Sequence, residues 1–569
     1  MKKSFEKLVV ILLGTVFFAP SSTAQTTILG SLDFDPAKNG FSFKNYANNY
    51  NTWKDDMATD DLIRMFGVKA VCKSGSNAKT CVPHASTRRW IDERLKQMEI
   101  GHCEGIAVAS LRLNSGLTFK GKRALSQLQP GAKSVFGLKF DQEIQNYISY
   151  YWITQIFPEI KQKTENTAKA GPAAIVHDLA ESMKNHDDTY LLGMRKFDPS
   201  NGRISDGHAV APFKVEDTGN QFKISVYDNN FPGTTRYVFV NKTAGEEWYY
   251  SSKANAGKPD YSGNKRTQTL DITATSWRDG ICFGSSFEKD YEAAAGCGDN
   301  LLSNRRRVPA DAFRPASFAQ DADGEQAEFF LTDDGDMLVV NEAGRRLGYD
   351  PRSNRYYREI SGSRATVMNG GLGLNVPNYT VPFEDTDGDF TIVFSGKYLD
   401  QESDFDFVYS APGFTVGFEG ILLDPNEILV ATISYDGEEI SFTASRDGET
   451  PNIFYAFDAD DDRQASYLTE VGGVDLTVGK TLAFNFDFEN GKLFMSDNDG
   501  NEDEYDIELT RLNVDGSEQV YKHNDLDMGK TDMYEMDFGD WDGKGPLCFK
   551  DDDDGDGFDD EECEYPSGP

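Results

Sequence analysis

The sequence predicts an α+β N-terminal domain followed by all-β, sandwich-like domains and a short acidic tail. The chain has 569 residues, which corresponds to about three or four domains of ordinary size. Helical and strand patterns are mixed up to about residue 300, whereas short strands with Gly and Asp turns recur roughly every ten residues beyond it. The charge changes at the same place, because residues 1–300 carry 37 basic and 33 acidic residues and residues 301–569 carry 20 and 61.

Hydrophobic spacing predicts the individual elements. Apolar residues on one helical face predict helices over Arg88 to Ile100 and Gln142 to Phe157, and a further helix begins near Cys103. Period-two alternation from His208 onward predicts a hairpin. Later strands are predicted over Met337 to Val340, Ile428 to Tyr435, Thr481 to Phe488 and Lys492 to Met495.

These patterns divide the chain into five parts. We predict a signal peptide (1–24), an α+β domain (25–300), a β domain (301–395), a β-sandwich-like domain (396–540) and an acidic tail (541–569). The net charge of −37 argues against nucleic acid and anionic membrane surfaces as partners. After the first segment, no stretch approaches 18 apolar residues, so we expect no membrane span.

The N-terminus predicts export. A lysine-rich start is followed by an apolar run from Leu8 to Ala19, and small residues at Ser22 and Ala24 are typical of a cleavage site. We therefore expect a secreted, periplasmic or cell-surface protein.

Seven cysteines indicate disulfides in such a compartment. Pairing close neighbours joins Cys72 to Cys81, Cys282 to Cys297 and Cys548 to Cys563, although sequence alone does not fix connectivity. That pairing leaves Cys103 over, as a buried spectator, an intermolecular link or a reactive thiol.

The residues around Cys103 favour the reactive thiol. The positive end of a helix favours the thiolate at its first turn, and a nearby imidazole would activate it further. In a symmetric hairpin centred on Thr218, His208 faces Asp228, whose carboxylate could orient the ring. A register slip of one residue would put Asn229 there instead.

This order of residues resembles the papain-like superfamily of cysteine peptidases, which has a helix-borne Cys, a His opening a strand and an Asn or Asp after the next strand. In that family a Gln six positions before the nucleophile donates to the oxyanion, and Gln97 has this spacing from Cys103. The resemblance implies a Cys103–His208–Asp228 triad, an oxyanion hole of the Gln97 amide and the Cys103 N–H, and a protein or peptide substrate.

The sequence departs from the family at two places. Glu104 follows the nucleophile where the family usually has Trp, and Asp228-Asn-Asn-Phe-Pro-Gly233 replaces Asn-Ser-Trp-Gly. In these respects the chain looks closer to bacterial branches of the fold, such as bacteriocin-processing peptidases or transglutaminase-like proteins.

Structural roles remain as alternatives for each of these residues. Cys103 could be a small buried hydrophobe, His208 a structural strand residue and Gln97 a residue on an exposed helix face. His102 competes as the base, although adjacent side chains diverge.

The tail predicts a calcium loop. Asp552, Asp554, Asp556 and Asp560 occupy positions 1, 3, 5 and 9 of a loop with Gly557 at position 6. Position 12 is Cys563, so the loop looks more like a thrombospondin type-3-like repeat than an EF-hand. The alternative is a solvated acidic tail.

Alternating acids elsewhere are equally explained by turns. They lie at Asp385, Asp387 and Asp389; at Asp458, Asp460 and Asp462; and at Asp497, Asp499 and Asn501.

Two functions follow from the sequence. The first is a secreted cysteine hydrolase, a peptidase or acyl transferase acting on amide or thioester bonds, whose β domains bind substrate or a cell-surface ligand. The second is a non-catalytic, calcium-stabilised surface or adhesion protein that retains a papain-like scaffold.

Overall fold

The computed structural model covers most of the chain. It describes residues 26–47, 56–116, 125–250, 261–278, 326–383, 388–459, 465–473, 475–497, 503–528, 533–539, 541–552 and 560–565. We refer to residues 26–278 as the N-terminal part and to residues 326–565 as the sandwich.

The helices lie in the N-terminal part. The described α-helices are α1 (Pro36–Asn39), α2 (Thr59–Phe66), α3 (Val68–Val71), α4 (Ala85–Gln97), α5 (Cys103–Asn114), α6 (Leu125–Leu128), α7 (Gln142–Ile153), α8 (Pro158–Ala170) and α9 (Pro172–Asn185). Short 3-10 helices cover Met98–Ile100, Val135–Gly137, Thr154–Ile156 and Thr275–Arg278. Helix α5 is buried on all sides from Cys103 to Arg112, as expected for an Ala- and Val-rich helix at the centre of a core.

An antiparallel sheet completes this part. Its strands, together with a separate β2–β3 pair, are β1 (Thr27–Ser31), β2 (Cys72–Ser74), β3 (Val82–Pro83), β4 (Tyr190–Phe197), β5 (Ile204–Asp217), β6 (Gln221–Tyr227), β7 (Thr235–Asn241), β8 (Trp248–Tyr250), β9 (Tyr261–Gly263) and β10 (Leu270–Ala274). The order is β10-β4-β5-β6-β7-β8-β9, with β1 also paired to β5. The predicted α+β character of this region is confirmed.

The predicted hairpin is formed by β5 and β6, but its register differs from the symmetric one. Ala211 pairs with Tyr227, so His208 and Asp228 are not direct cross-strand partners. In the hairpin turn, the Thr218 N–H donates to the Gln221 carbonyl, so the centre of the hairpin lies after Thr218. A bulge after Pro212 partly reverses the resulting shift in strand register. The net shift of two residues keeps both side chains on the same face, because side chains alternate with period two.

The second half is β-rich, as predicted. The described strands are β11 (Gln326–Leu331), β12 (Asp336–Asn341), β13 (Arg346–Asp350), β14 (Arg355–Arg358), β15 (Arg364–Val367), β16 (Pro377–Pro382), β17 (Phe390–Ser395), β18 (Ser403–Ala411), β19 (Phe414–Leu423), β20 (Ile428–Ile433), β21 (Glu439–Thr443), β22 (Asn452–Asp458), β23 (Ala465–Gly472), β24 (Thr481–Asp487), β25 (Lys492–Asp497), β26 (Asp503–Asn513), β27 (Glu518–Met528), β28 (Met533–Asp537), β29 (Leu547–Asp552) and β30 (Asp560–Glu564).

These strands form two antiparallel sheets that share one apolar core. One has the order β15-β16-β11-β18-β19-β22-β23-β26-β27, and the other has β14-β13-β12-β17-β20-β21-β24-β25-β28-β29-β30. Both sheets pair strands from either side of residue 395, so the described residues of 326–565 share the same two sheets. The tail contributes β29 and β30, and Leu547 and Phe549 are buried in the shared core.

The N-terminal part packs on the outer face of the first sheet. Strand β11 shows how the sequence permits this, because Phe329 and Leu331 enter the sandwich core while Phe330 joins the core of the N-terminal part. The same alternation places Val408 and Phe454 against the helices. Strands with both faces buried need apolar residues at successive positions.

Helix α4 makes the main polar contact across this interface. Arg94 is fully buried and donates from Nη2 to Glu328 Oε2 over 3.0 Å. On the same helix, Arg89 Nη1 lies 2.6 Å from Glu470 Oε1, and Lys96 Nζ lies 2.9 Å from Asp406 Oδ2. Because these partners belong to the sandwich, charge pairs fix the two parts to each other.

Two of the predicted disulfides are present, Cys72–Cys81 and Cys548–Cys563. Cys103 is a free, buried thiol, and the predicted Cys282–Cys297 pair lies outside the described residues. Within the described part of the chain, no helix is both long and apolar enough to span a bilayer.

Candidate active site

Cys103 is the first residue of α5 and is completely buried. The turn before it is held by Trp152, whose Nε1 donates to the Gly101 carbonyl over 2.9 Å. Gly101 has a φ of 107°, which favours glycine. The thiol therefore sits at the positive end of a helix, on a fixed backbone.

His208 lies beside Cys103 on strand β5. Its Nε2 lies 3.0 Å from Asp228 Oδ1, and the Ala209 N–H donates to the Cys103 sulfur over 3.2 Å. The other ring nitrogen, Nδ1, makes no hydrogen bond among the described residues, and it lies with the Cys103 Cβ beside Gly371. The structure thus brings Cys103, His208 and Asp228 together in that order.

Asp228 is itself fixed from two sides. The Tyr250 hydroxyl donates to its Oδ2, and the Asn230 N–H donates to its Oδ1 over 2.8 Å. A carboxylate with these donors stays ionised and aims one oxygen at the ring.

The charges of the three groups are coupled. Burial opposes the charged form of His208, but the charge and hydrogen bond of Asp228 outweigh it and raise the pKa of the imidazole well above its usual value. Burial also opposes the charged form of Asp228, yet His208 lowers the pKa of that carboxyl overall. Burial raises the pKa of the Cys103 thiol, against the lowering effect of His208.

The two alternatives to this pairing have other roles. Asn229 donates from Nδ2 to the Cys103 carbonyl over 3.0 Å and does not hold the ring. His102 stacks on Tyr46, and its Nδ1 lies 2.7 Å from the Tyr46 carbonyl. A carbonyl can only accept, so that nitrogen carries a proton and is not available as the base.

The structure does not bring Gln97 to the thiol. Gln97 is buried on the face of α4 that meets the sandwich, where it accepts from Arg94 and donates to the Leu331 carbonyl over 2.7 Å. The amide near Cys103 belongs to Asn45 instead. Its Oδ1 accepts the His102 N–H over 2.7 Å, which leaves Nδ2 to donate towards the cleft.

A segment of the sandwich, residues 368–373, fills the cleft. We call it the cleft segment; it connects β15 to β16 and has the sequence Met-Asn-Gly-Gly-Leu-Gly. The Gly370 carbonyl accepts from Asn45 Nδ2 over 2.8 Å and from the Cys103 N–H over 3.3 Å. A carbonyl held by the nucleophile's own N–H and a side-chain amide lies where an oxyanion would form.

The side chains of the predicted calcium ligands lie outside the part of the chain that the structure describes. Asp554 and Asp556 lie outside the described residues, whereas Asp552 ends strand β29 and Asp560 begins strand β30. Of the other alternating acids, the side chains of Asp389 and Asp458 are described, and the Asp458 carboxylate lies 2.7 Å from His84.

Among the described residues, one cluster of three carboxylates could share an ion. Glu93, Asp406 and Glu419 offer oxygens within 4.8 Å of one another. Arg89 and Lys96 already pair with these carboxylates at the interface. The cluster is explained by those ion pairs.

Sequence reasoning missed Asn45, Tyr250 and the cleft segment. Asn45 lies in an irregular stretch without a repeating pattern, so nothing in the sequence identified it. The Gly-Gly pair at Gly370 was a visible signal, but by itself such a pair indicates only a turn.

The chain was compared with known proteins at three levels. No family model, no curated protein and no solved structure matches it.

Proposed function

We propose that this chain is a secreted cysteine hydrolase, similar in arrangement to the papain-like peptidases, acting on amide or thioester bonds. The Cys103 sulfur attacks the carbonyl carbon, His208 carries the proton to the leaving group, and Asp228 keeps the ring oriented. Asn45 and the Cys103 N–H bind the oxyanion. In the second step, water or another nucleophile releases the acyl group from sulfur.

The observation that carries the proposal is the double hydrogen bond to the Gly370 carbonyl. A buried thiol alone would fit a structural cysteine. Here the thiol has an imidazole on one side and two amide donors aimed at a carbonyl on the other. A structural cysteine requires none of these neighbours.

Alkylation of Cys103 by iodoacetamide in the native protein tests this proposal. His208→Ala should slow the reaction at least tenfold at neutral pH, because the thiolate loses its counter-ion. His177→Ala is the matched control, since the His177 side chain is exposed on α9, and it should leave the rate unchanged. Equal rates in both variants would contradict the proposal.

The alternative of a non-catalytic surface protein also has an observation in its favour. The cleft segment buries Cys103 and leaves His208 only 1% exposed, so an external substrate has no access in this conformation. This alternative predicts that Cys103 stays inert even when the segment is displaced.

We also propose that the tail binds a structural Ca²⁺ through Asp552, Asp554, Asp556 and Asp560. The disulfide Cys548–Cys563 joins paired positions of β29 and β30 and closes the hairpin that carries these residues. Removing Ca²⁺ with a chelator should lower the melting temperature by several degrees. An unchanged melting temperature, with and without Ca²⁺, would contradict the site.

A further inference from the structure

We propose that the protein cuts its own chain between Gly370 and Gly371. This inference rests on the proposed function and specifies its first substrate. The cleft segment occupies the site as a peptide substrate would. While it does so, the Cys103 thiol is inaccessible to any other substrate.

The cleft binds four backbone groups of the segment around this bond. The Asn369 N–H donates to Gln155 Oε1 over 2.8 Å, and the Gly370 carbonyl lies in the Asn45 and Cys103 donors. On the other side of the bond, the Gly371 N–H donates to the Gly207 carbonyl over 3.0 Å, and the Gly371 carbonyl accepts from Asn230 Nδ2 over 2.9 Å. A loop that merely covered the site would not need hydrogen bonds on both sides of one peptide bond.

One side chain of the segment is also recognised. Asn369 donates from Nδ2 to Glu104 Oε2 over 3.1 Å, and Arg278 binds the other oxygen of that carboxylate. Glu104 follows the nucleophile directly, so it selects the residue that precedes the cut glycine. The structure therefore gives Glu104, the residue that departs from the papain-like pattern, a role in specificity.

Only glycine fits at the two positions of the cut. A Cβ on Gly370 would lie 2.3 Å from the Ile100 carbonyl oxygen. A Cβ on Gly371 would lie 2.5 Å from His208 Nδ1 and 2.9 Å from the Cys103 Cβ. These contacts place the Gly371 backbone beside the ring that must protonate its nitrogen.

The reaction balances with water as the only co-reactant. The Cys103 sulfur bonds to the Gly370 carbonyl carbon and gives its proton to His208, which passes it to the Gly371 nitrogen as the peptide bond breaks. Water then hydrolyses the thioester, leaving a Gly370 carboxylate, a free Gly371 amine and the restored thiol. A cavity of about 280 Å³ borders Glu104 and Asn369 and offers a route for this water.

The two products stay together. Strands β11 and β12 lie before the cut, and they pair with β18 and β17, which lie after it. Helix α4 also keeps its ion pairs with Asp406 and Glu470. Cleavage therefore opens the cleft to external substrates without dissociating the molecule.

The full-length protein tests the inference directly. Wild type should yield two fragments on a denaturing gel, with Gly371 as the new N-terminus by sequencing, but one species by gel filtration. Cys103→Ala should remain a single chain. The informative variant is Gly371→Val, whose side chain collides with His208 and Cys103. This variant should remain uncut. Its Cys103 should be alkylated at least tenfold faster than in an uncut protein whose cleft segment still covers the thiol.

Gly373→Val is the matched control. Gly373 also has a positive φ, 93°, but nothing lies within 4 Å of a Cβ there, so it carries the same backbone strain without the collision. It should be cut like wild type. If the wild-type chain stays intact while Cys103 alkylation depends on His208, self-cleavage is wrong and the proposed function stands. If Gly371→Val has an inert Cys103, both are wrong.

Discussion

Two of the contacts between the N-terminal part and the sandwich are built in opposite ways. Along α4 the contact is made of charged side chains, with Arg94 buried against Glu328 and Lys96 against Asp406. In the cleft, the contact is made almost entirely of backbone groups of the cleft segment. Side-chain charge pairs fix a permanent interface, whereas backbone hydrogen bonds around a Gly-Gly bond are the way a peptidase holds a substrate.

This difference assigns stability and chemistry to separate residues. Changes along α4 should weaken the fold without altering the chemistry of Cys103, whereas changes in the cleft should alter that chemistry. The following substitutions test that separation.

Arg94→Ala should have the largest effect. It removes a fully buried guanidinium and leaves Glu328 as a buried charge without this partner, which costs about 3–5 kcal/mol of unfolding free energy. Urea unfolding measures the loss. A change below about 1 kcal/mol would show that the charge pairs do not hold the interface.

Asn45→Ala should slow self-cleavage by about 10²–10³-fold, the usual cost of losing one oxyanion donor. The His102 N–H donates to Asn45 Oδ1 and so directs Asn45 Nδ2 towards the Gly370 carbonyl. The substitution removes this hydrogen bond from the reacting carbonyl and leaves the one from the Cys103 N–H. A time course of fragment formation measures the rate. Gln97→Ala is the comparison, and equal losses in both variants would assign the effect to folding instead.

Asp228→Asn should change how stability depends on pH. The raised pKa of His208 stabilises the fold fully below about pH 6.5 and loses this effect as pH rises through the folded-state value. The lowered pKa of Asp228 stabilises the fold above about pH 4 and loses the effect as pH falls. The difference from wild type should therefore be largest between about pH 4 and 6.5 and smaller in alkaline solution.

Denaturation at a series of pH values measures this difference. A purely packing role for Asp228 predicts a difference that does not vary with pH. The same variant should also alkylate more slowly at Cys103, because a neutral ring stabilises the thiolate less than a charged one.

Arg88→Ala should have the smallest effect. Arg88 is also on α4 and pairs with Glu518 over 2.8 Å, but both side chains are nearly half exposed. Exposed pairs contribute about 0–1 kcal/mol, so urea unfolding should barely change. A loss comparable with that of Arg94→Ala would mean that burial does not decide the strength of this interface.

Local patterns in the sequence pointed to Cys103, His208 and Asp228 individually, although Cys103 meets the β5 strand through a tertiary contact. A free cysteine at a helix start and a hairpin with alternating side chains are visible without tertiary information. The predicted register was off by two residues, yet the pair survives, since a shift of two restores the same face of the strand.

The rest depended on contacts between distant segments. Gln97 lies on the face of α4 that meets the sandwich and donates to the Leu331 carbonyl, so Asn45 rather than Gln97 supplies the amide near Cys103. The cleft segment reaches Cys103 from more than 260 residues away, only because β15 and β16 hold its ends in the sheet. The residue pattern within a single segment cannot predict this contact between the cleft segment and Cys103.

Detection of the acyl intermediate tests the central claim most directly. Newly folded protein is quenched in acid during self-cleavage, digested and examined by mass spectrometry. We predict a peptide in which the Cys103 sulfur is joined by a thioester to a chain ending at Gly370, and its absence in Asn45→Ala at the same time point. Fragments ending at Gly370 that form equally in Cys103→Ala, without this adduct, would contradict the account.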